Sequence, residues 1–304
     1  MKTLFKTIVI ATVAMSSQAF SQDLSVKTNA YIKCYNGISG RAIDSINRYE
    51  SWVKDMKKGP TGKERIVYGL YTLHDHVIKD CKENIPVAVA VEPKQEELDQ
   101  AADNYLKATL TLNEKINEAN RYYDRENYKD DNFAKGKEMH KPLSVAMENF
   151  LKAHDELSKQ LEEVNNNAMK AQLVEIEKND GKKFNYWMLS TMIEAKPAVN
   201  LLSKEQFDVE KAKSLISAYE NSADKLIEQI KSDTSVEMAR YATLPMTIDN
   251  YRKALKERMR RVRDKKPYST GEKMQLNPSS GWMVNGSPYK VMDTYNKLIE
   301  AVNR

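Results

Sequence analysis

The chain has 304 residues, 41% hydrophobic and 30% charged, with 48 Lys and Arg against 43 Asp and Glu for a formal net charge of +5. That balance excludes a disordered chain and leaves ample length for a hydrophobic core. So small a positive excess also argues against nucleic-acid binding by the whole chain.

The first element is not expected to be part of the fold. Lys2 and Lys6 precede the apolar run Thr7–Met15, and small residues follow through Ser21. This is the make-up of a secretory signal peptide, with cleavage expected after Ala19 or Ser21. The apolar run falls short of the roughly 20 residues a bilayer span needs. No cysteine lies near the cleavage region, so lipid attachment there is not expected. We therefore read residues 1–21 as signal peptide and residues 22–304 as an exported helical domain, periplasmic or secreted. No later stretch is long and apolar enough for a membrane helix, so an integral membrane protein is not expected.

Two stripes follow. Tyr31, Tyr35, Ile38, Ala42, Ile46, Tyr49, Val53 and Met56 are spaced by threes and fours, the period of one helix face. Lys58-Gly59-Pro60-Thr61-Gly62 then breaks the helix. Ile66, Leu70, Leu73, Val77 and Cys81 form a second stripe, with Pro86 beyond it. A short break between two such stripes predicts an antiparallel helical hairpin. Counted from the break, Cys34 and Cys81 lie about 23 and 20 residues away, a mismatch of roughly 4–5 Å along the axes. The only two cysteines of the chain are thus placed for a disulfide, which an oxidising compartment would preserve. Two buried free thiols are the alternative.

Pro86 to Pro93 reads as an extended crossing or a short strand, with Pro93 able to open the next helix. That helix carries Leu98, Ala102, Tyr105, Leu112, Ile116, Ala119 and Tyr123, and ends in the polar run Asp124–Asn132. Leu143, Met147, Phe150, His154, Leu157, Leu161, Val164 and Ala168 mark the longest helix, about 55 Å with its continuation to Asn179. Gly181 stops it. Phe184, Trp187, Met188, Met192 and Ala195 make an apolar helix that Pro197 kinks or ends. Ser203 and Asp208 compete to cap the next one, which shows Ala212, Leu215, Tyr219, Ala223, Leu226 and Ile230. Pro245 opens or interrupts a basic helix with Ile248, Tyr251, Leu255, Met259 and Val262 on one face. Residues 266–287 look irregular, and Ser287-Pro288 starts the last helix. The fold class expected is all-α: an elongated antiparallel helical bundle, with 28–180 and 181–304 as candidate sub-bundles.

Asn29-Ala30-Tyr31-Ile32-Lys33-Cys34-Tyr35-Asn36, together with Gly281-Trp282-Met283-Val284-Asn285-Gly286-Ser287-Pro288 and Tyr295-Asn296, resembles the two ends of the YiiG-like bacterial envelope proteins, a domain-of-unknown-function family. The resemblance implies an exported, mainly helical protein, usually anchored as a lipoprotein. This chain departs from that pattern in lacking the lipobox cysteine. The family brings no established activity, so no catalytic residues carry over.

Catalytic and metal motifs do not emerge. His74 and His76, two apart, would face opposite sides of a helix. His140 and His154 share the apolar stripe of the long helix and read as hydrogen-bonded core residues. There is no His-Glu-x-x-His, Gly-x-Ser-x-Gly or phosphate loop. Glu96-Glu97 and Glu162-Glu163 fall on charged helical faces. We expect no cofactor and no enzyme. Two features invite a binding role. The stretch Arg252–Lys266, with Arg258, Arg260 and Arg261 at its centre, would meet an anionic envelope surface or an acidic protein, or neutralise acidic helices of its own bundle. The irregular tail around Trp282 would serve as a recognition loop or as a cap plugging the bundle. The expected function is an exported non-catalytic binding protein engaging a protein partner, in one form an immunity or inhibitor protein. A small-ligand or metal carrier and an envelope-surface contact protein are the rivals.

Overall fold

The computed structural model describes residues 22–233, 235–277 and 279–303; the expected signal segment lies outside them. Among the described residues the fold is all-α, without strands. The helices are α1 Gln22–Trp52, α2 Asp75–Ala90, α3 Glu96–Asp124, α4 Ala134–Asp180, α5 Phe184–Leu202, α6 Val209–Ser232, α7 Val236–Ala239, α8 Leu244–Arg263, α9 Thr270–Gln275 and α10 Pro288–Val302. Packing divides the described chain into two compact units, one up to Asn165 and one from Asn166 onward, with the division inside α4. Among the described residues, no helix is long and apolar enough to cross a membrane.

The first unit packs α1, α2, α3 and the first part of α4 around an aromatic core. The expected stripes of α1 and α3 are its lining, with Tyr31, Tyr49, Tyr105 and Phe150 completely buried. Buried tyrosines need partners for their hydroxyls, and two histidines of α4 supply them. The Tyr35 hydroxyl lies 2.9 Å from His154 Nε2, and the Tyr49 hydroxyl 3.0 Å from His140 Nδ1. His140 Nε2 is 2.9 Å from the Met56 carbonyl, which only accepts, so this nitrogen donates and Nδ1 accepts from Tyr49. The carboxylate of Asp155 fixes the opposite tautomer at His154, from 3.1 Å. Tyr35 and Tyr49 are separated along α1 by about four turns, as are His140 and His154 along α4. The two rungs therefore match only when the helices run antiparallel in one register.

Near the start of α1, the Lys27 ammonium is buried and donates to Asp99 at 2.7 Å and to the Pro93 carbonyl at 3.2 Å. Tyr31 donates to the other oxygen of Asp99 at 2.6 Å. This buried ion pair ties α1 to the entry of α3.

The disulfide Cys34–Cys81 joins α1 to α2 with a Cα–Cα distance of 5.2 Å. The expected hairpin around it needs correcting. Only α1 is helical as expected; residues 53–74 form no helix, and α2 starts at Asp75. Gly69, in the middle of the expected second stripe, sits at φ 65°, a left-handed conformation that a helix does not tolerate. Leu70 and Leu73 are nevertheless buried, so the apolar pattern reported burial and not helicity. The segment is held along α1 by side chains. Arg41 Nε donates to Thr72, Ser45 Oγ to Tyr71, Arg48 Nε to Tyr68 and Trp52 Nε1 to Gly69, each to a carbonyl within 3.1 Å. Pro86 lies inside α2 instead of beyond it, and α3 begins at Glu96, after a cis Glu92–Pro93 bond.

Helix α4 spans 47 residues and starts before the expected stripe, with Pro142 inside it. Gly181 at φ 74° ends it as expected, its amide bonded to the Glu177 carbonyl at 3.1 Å.

The second unit packs α5, α6, α8 and α10 around Ala195, Leu202, Tyr219, Leu226, Ile248, Tyr251 and Leu298. Tyr251 donates to the Ala195 carbonyl at 2.8 Å, and Tyr219 to the Ile248 carbonyl at 3.2 Å. Helix α5 continues through Pro197 to Leu202. Asp208 wins the capping competition, accepting from the Lys211 amide at 3.0 Å. Ser203 instead ends α5, its hydroxyl turned back to the Val199 carbonyl. Ser287 caps α10 as expected.

Replacing Cys34 and Cys81 together by Ala is expected to cost about 4 kcal/mol, the chain-entropy value for a loop of this length. Urea titration checks it. In the same titration, Asp99→Ala is expected to cost roughly 3–5 kcal/mol, because it leaves a buried ammonium unpaired, and Lys27→Met with Asp99→Leu to recover much of that loss.

Candidate functional site

The basic helix α8 lies with one apolar face in the core of the second unit, so only part of its charge reaches solvent. Its first turns face the acidic side of α6. Arg252 meets Glu220 and Asp224 there, and Asp249 on its own helix; Lys256 pairs with Glu220 at 2.5 Å. Glu257 pairs with Lys290 of α10 at 3.4 Å. Much of the helix therefore neutralises its own bundle.

Two of the expected partner-binding arginines point inward, which corrects the expectation. Arg258 is 4% exposed. Its guanidinium donates to the carbonyls of Leu202 (3.2 Å), the last residue of α5, and of Lys204 (2.8 Å) and Glu205 (3.0 Å) just after it, to Gly286 (3.4 Å) and to the Tyr268 hydroxyl (3.3 Å). Burial holds its pKa below the ordinary arginine value. The planar fork of donors is what lets one side chain gather so many carbonyls. Arg261 is also buried. It donates to the Pro267 carbonyl at 3.1 Å and to Glu272 at 2.7 Å, and it stacks 4.2 Å over the Tyr268 ring. The Ser269 amide, and then Arg261, hold the Glu272 carboxyl below the usual carboxylate range. The physical reason is position: 258 and 261 are next to the apolar seam of Leu255 and Met259, whereas Arg260 falls on the outer face. Arg260 is exposed and makes no ion pair within 4.0 Å among the described residues.

These two arginines hold the tail in place. Gly286, at φ 70°, passes so close to Arg261 and Glu257 that a Cβ would lie 3.0 Å from each. Gly281 is buried against the Tyr289 ring, where a Cβ would come within 2.4 Å. The Ser287 hydroxyl, fully buried, donates to the Gly281 carbonyl at 2.6 Å and accepts from the Lys290 amide at 3.0 Å. On this support Trp282 is 45% exposed and Met283 50% exposed, with Lys297 Nζ 5.3 Å from the indole centre. Trp282 is thus displayed and not a plug of the bundle, whereas Val284 and Pro288 near it are buried.

The histidines divide as follows. Both nitrogens of His140 and of His154 are committed to the core bonds described above. His74 and His76 are exposed, but they do not face opposite ways: His74 precedes α2 with extended backbone, and the two rings lie 5.8 Å apart. Among the described residues, no three His, Cys, Asp or Glu side chains gather as a metal site. Glu96 and Glu97 lie exposed in the first turn of α3, where carboxylates suit the helix dipole.

Sequence reasoning missed the Lys27–Asp99 pair and the two tyrosine–histidine rungs. A signal for the rungs existed, in the equal spacing of Tyr35 and Tyr49 and of His140 and His154. Nothing local marks Lys27 as buried.

Arg258→Gln is expected to destabilise the chain by about 2–4 kcal/mol, since it strands several buried carbonyls, whereas Arg260→Gln stays within about 0.5 kcal/mol. Thermal unfolding of the two variants side by side checks the contrast.

With this geometry in view, comparison with known proteins is consistent from end to end. The chain is 36% identical over 278 residues to the uncharacterized protein YiiG of Escherichia coli (strain K12), covering 91% of this chain and 78% of that protein. No solved structure matches it. The family described as "Protein of unknown function (DUF3829)" matches residues 22–304, and the chain therefore belongs to that family.

Proposed function

We propose that this chain is an exported, non-catalytic binding protein of the bacterial envelope that engages a protein partner through the displayed Trp282–Met283 surface. The observation that carries the reading is a half-exposed Trp next to an exposed Met, on a loop fixed from beneath by Arg258, Arg261, Tyr268 and Ser287. Adjacent exposed apolar side chains gain free energy when a partner covers them, and Trp held in place beforehand is among the residues enriched at the energetic centres of protein interfaces. Export is supported by the composition of residues 1–21, and an oxidising compartment by the Cys34–Cys81 bond. Occlusion of a secreted toxin, as an immunity or inhibitor protein does, is one concrete form of this role.

The exposed cations Arg260, Lys265 and Lys266 at the end of α8 favour a second reading, contact with an anionic envelope surface.

Affinity capture from native envelope and secreted fractions separates the two. We expect the mature, oxidised chain to retain one stoichiometric protein, and Trp282→Ala to weaken that complex at least tenfold, or about 1.4 kcal/mol, with unfolding unchanged. Absence of any protein bound tighter than about micromolar ends the first reading. Binding to anionic liposomes that is lost on reversing Arg260, Lys265 and Lys266 establishes the second.

A further inference from the structure

The four histidines of the chain fall into two pairs. His140 and His154 spend both ring nitrogens on hydrogen bonds in the core. His74 and His76 spend none. Both are exposed, and among the described residues neither ring makes a hydrogen bond or an ion pair.

Their place at a helix start brings these two rings together. Side chains two residues apart within a regular helix point to nearly opposite sides. His74 instead stands one residue ahead of α2 with extended backbone, φ −80° and ψ 117°. Its ring centre thereby lies 5.8 Å from that of His76, with the planes at 33°. With metal–nitrogen bonds of about 2.0–2.1 Å, two imidazoles on one ion have ring centres up to roughly 6 Å apart. The torsion that turns an imidazole about its Cβ–Cγ bond is broad, so two exposed rings can each aim a nitrogen at a common point.

The backbone beneath the rings is held on both sides. Ahead of His74, Leu73 is buried and the Thr72 carbonyl accepts from Arg41 Nε at 2.9 Å. The His74 carbonyl accepts from the amides of Val77 at 3.0 Å and Ile78 at 3.1 Å. Val77 packs so closely on α1 that a Cβ at Gly37 would lie 2.7 Å from it. One turn further along α2, Cys81 is bonded to Cys34. A backbone fixed in this way lowers the ordering cost of chelation. Asp75, exposed between the two histidines, sets a negative charge where the helix dipole would otherwise disfavour a cation.

We propose that His74 and His76 form a two-imidazole site for a divalent late transition-metal ion, with the remaining coordination positions open to water. Imidazole suits copper, nickel and zinc, and the order of affinities among these ions places Cu2+ first. The site belongs to the first unit and does not depend on the Trp282 reading.

The test is calorimetric titration of the oxidised chain with Cu2+ alone, in a buffer that does not bind the metal, together with electron spin echo modulation of the loaded protein. The expected result is one ion per chain at micromolar Kd, modulation from two imidazoles, and weaker binding of Zn2+. Affinity should fall at least tenfold with His74→Gln and with His76→Gln, each with unfolding unchanged because both side chains are exposed. Acidification should release the ion, since a protonated imidazole cannot ligate. No uptake tighter than about millimolar overturns the proposal. So does modulation from a single imidazole, or binding insensitive to either substitution, because the ion would then sit elsewhere on the chain.

Discussion

The pairing of two tyrosines on α1 with two histidines on α4 is the constraint on which the first unit rests. Each ring pair is stacked at an interplanar angle of 23°, and each closes a hydrogen bond inside the core. A shift of either helix by one turn would strand buried hydroxyls and imidazoles at once, a cost on the order of 1–3 kcal/mol for each group left unpaired. Apolar stripes alone tolerate such slippage far better. With α1 so placed, Cys34 meets Cys81 of α2, Lys27 reaches Asp99 of α3, and the polar side chains between them are free to hold residues 68–72.

The second unit uses a different device for the same end. Arg258 gathers carbonyls at and just after the end of α5 and one from the tail, and does with a single side chain what a run of backbone pairing does elsewhere. A buried cation of this kind is a weak source of net stability. Its effect is on the course of the chain, because it draws the carbonyls of Leu202, Lys204, Glu205 and Gly286 to one guanidinium. Of the four residues expected to bind a partner, Arg258 and Arg261 therefore lie beneath the tail as supports, while Arg260 and Trp282 are exposed.

Burial was read well from the pattern, and conformation less well. Leu70 and Leu73 were recognised as core residues, yet the segment is not helical, because apolar spacing over so few residues fits either an amphipathic turn or an irregular stretch pinned at intervals. Gly69 was the local warning. Pro86 is expected beyond its helix and Pro197 to kink or end its own, but both lie inside helices that continue past them, each at the loss of one hydrogen bond. The choice of Asp208 over Ser203 turned on where α5 ended, which no local rule decides.

By itself, the sequence determined the helical class, the positions of α1, α3, α6 and α10, the stop at Gly181, the near neighbourhood of the two cysteines and membership of a family from residue 22 to the end. These follow from periodicity and from residues whose backbone preferences act locally. Only the tertiary structure decided that Arg258 and Arg261 are interior while Arg260 and Trp282 are exposed, and that Lys27 is buried. Side-chain charge specifies a need for partners, not their location. Whether those partners lie within the fold or outside it depends on which distant segments packing brings alongside.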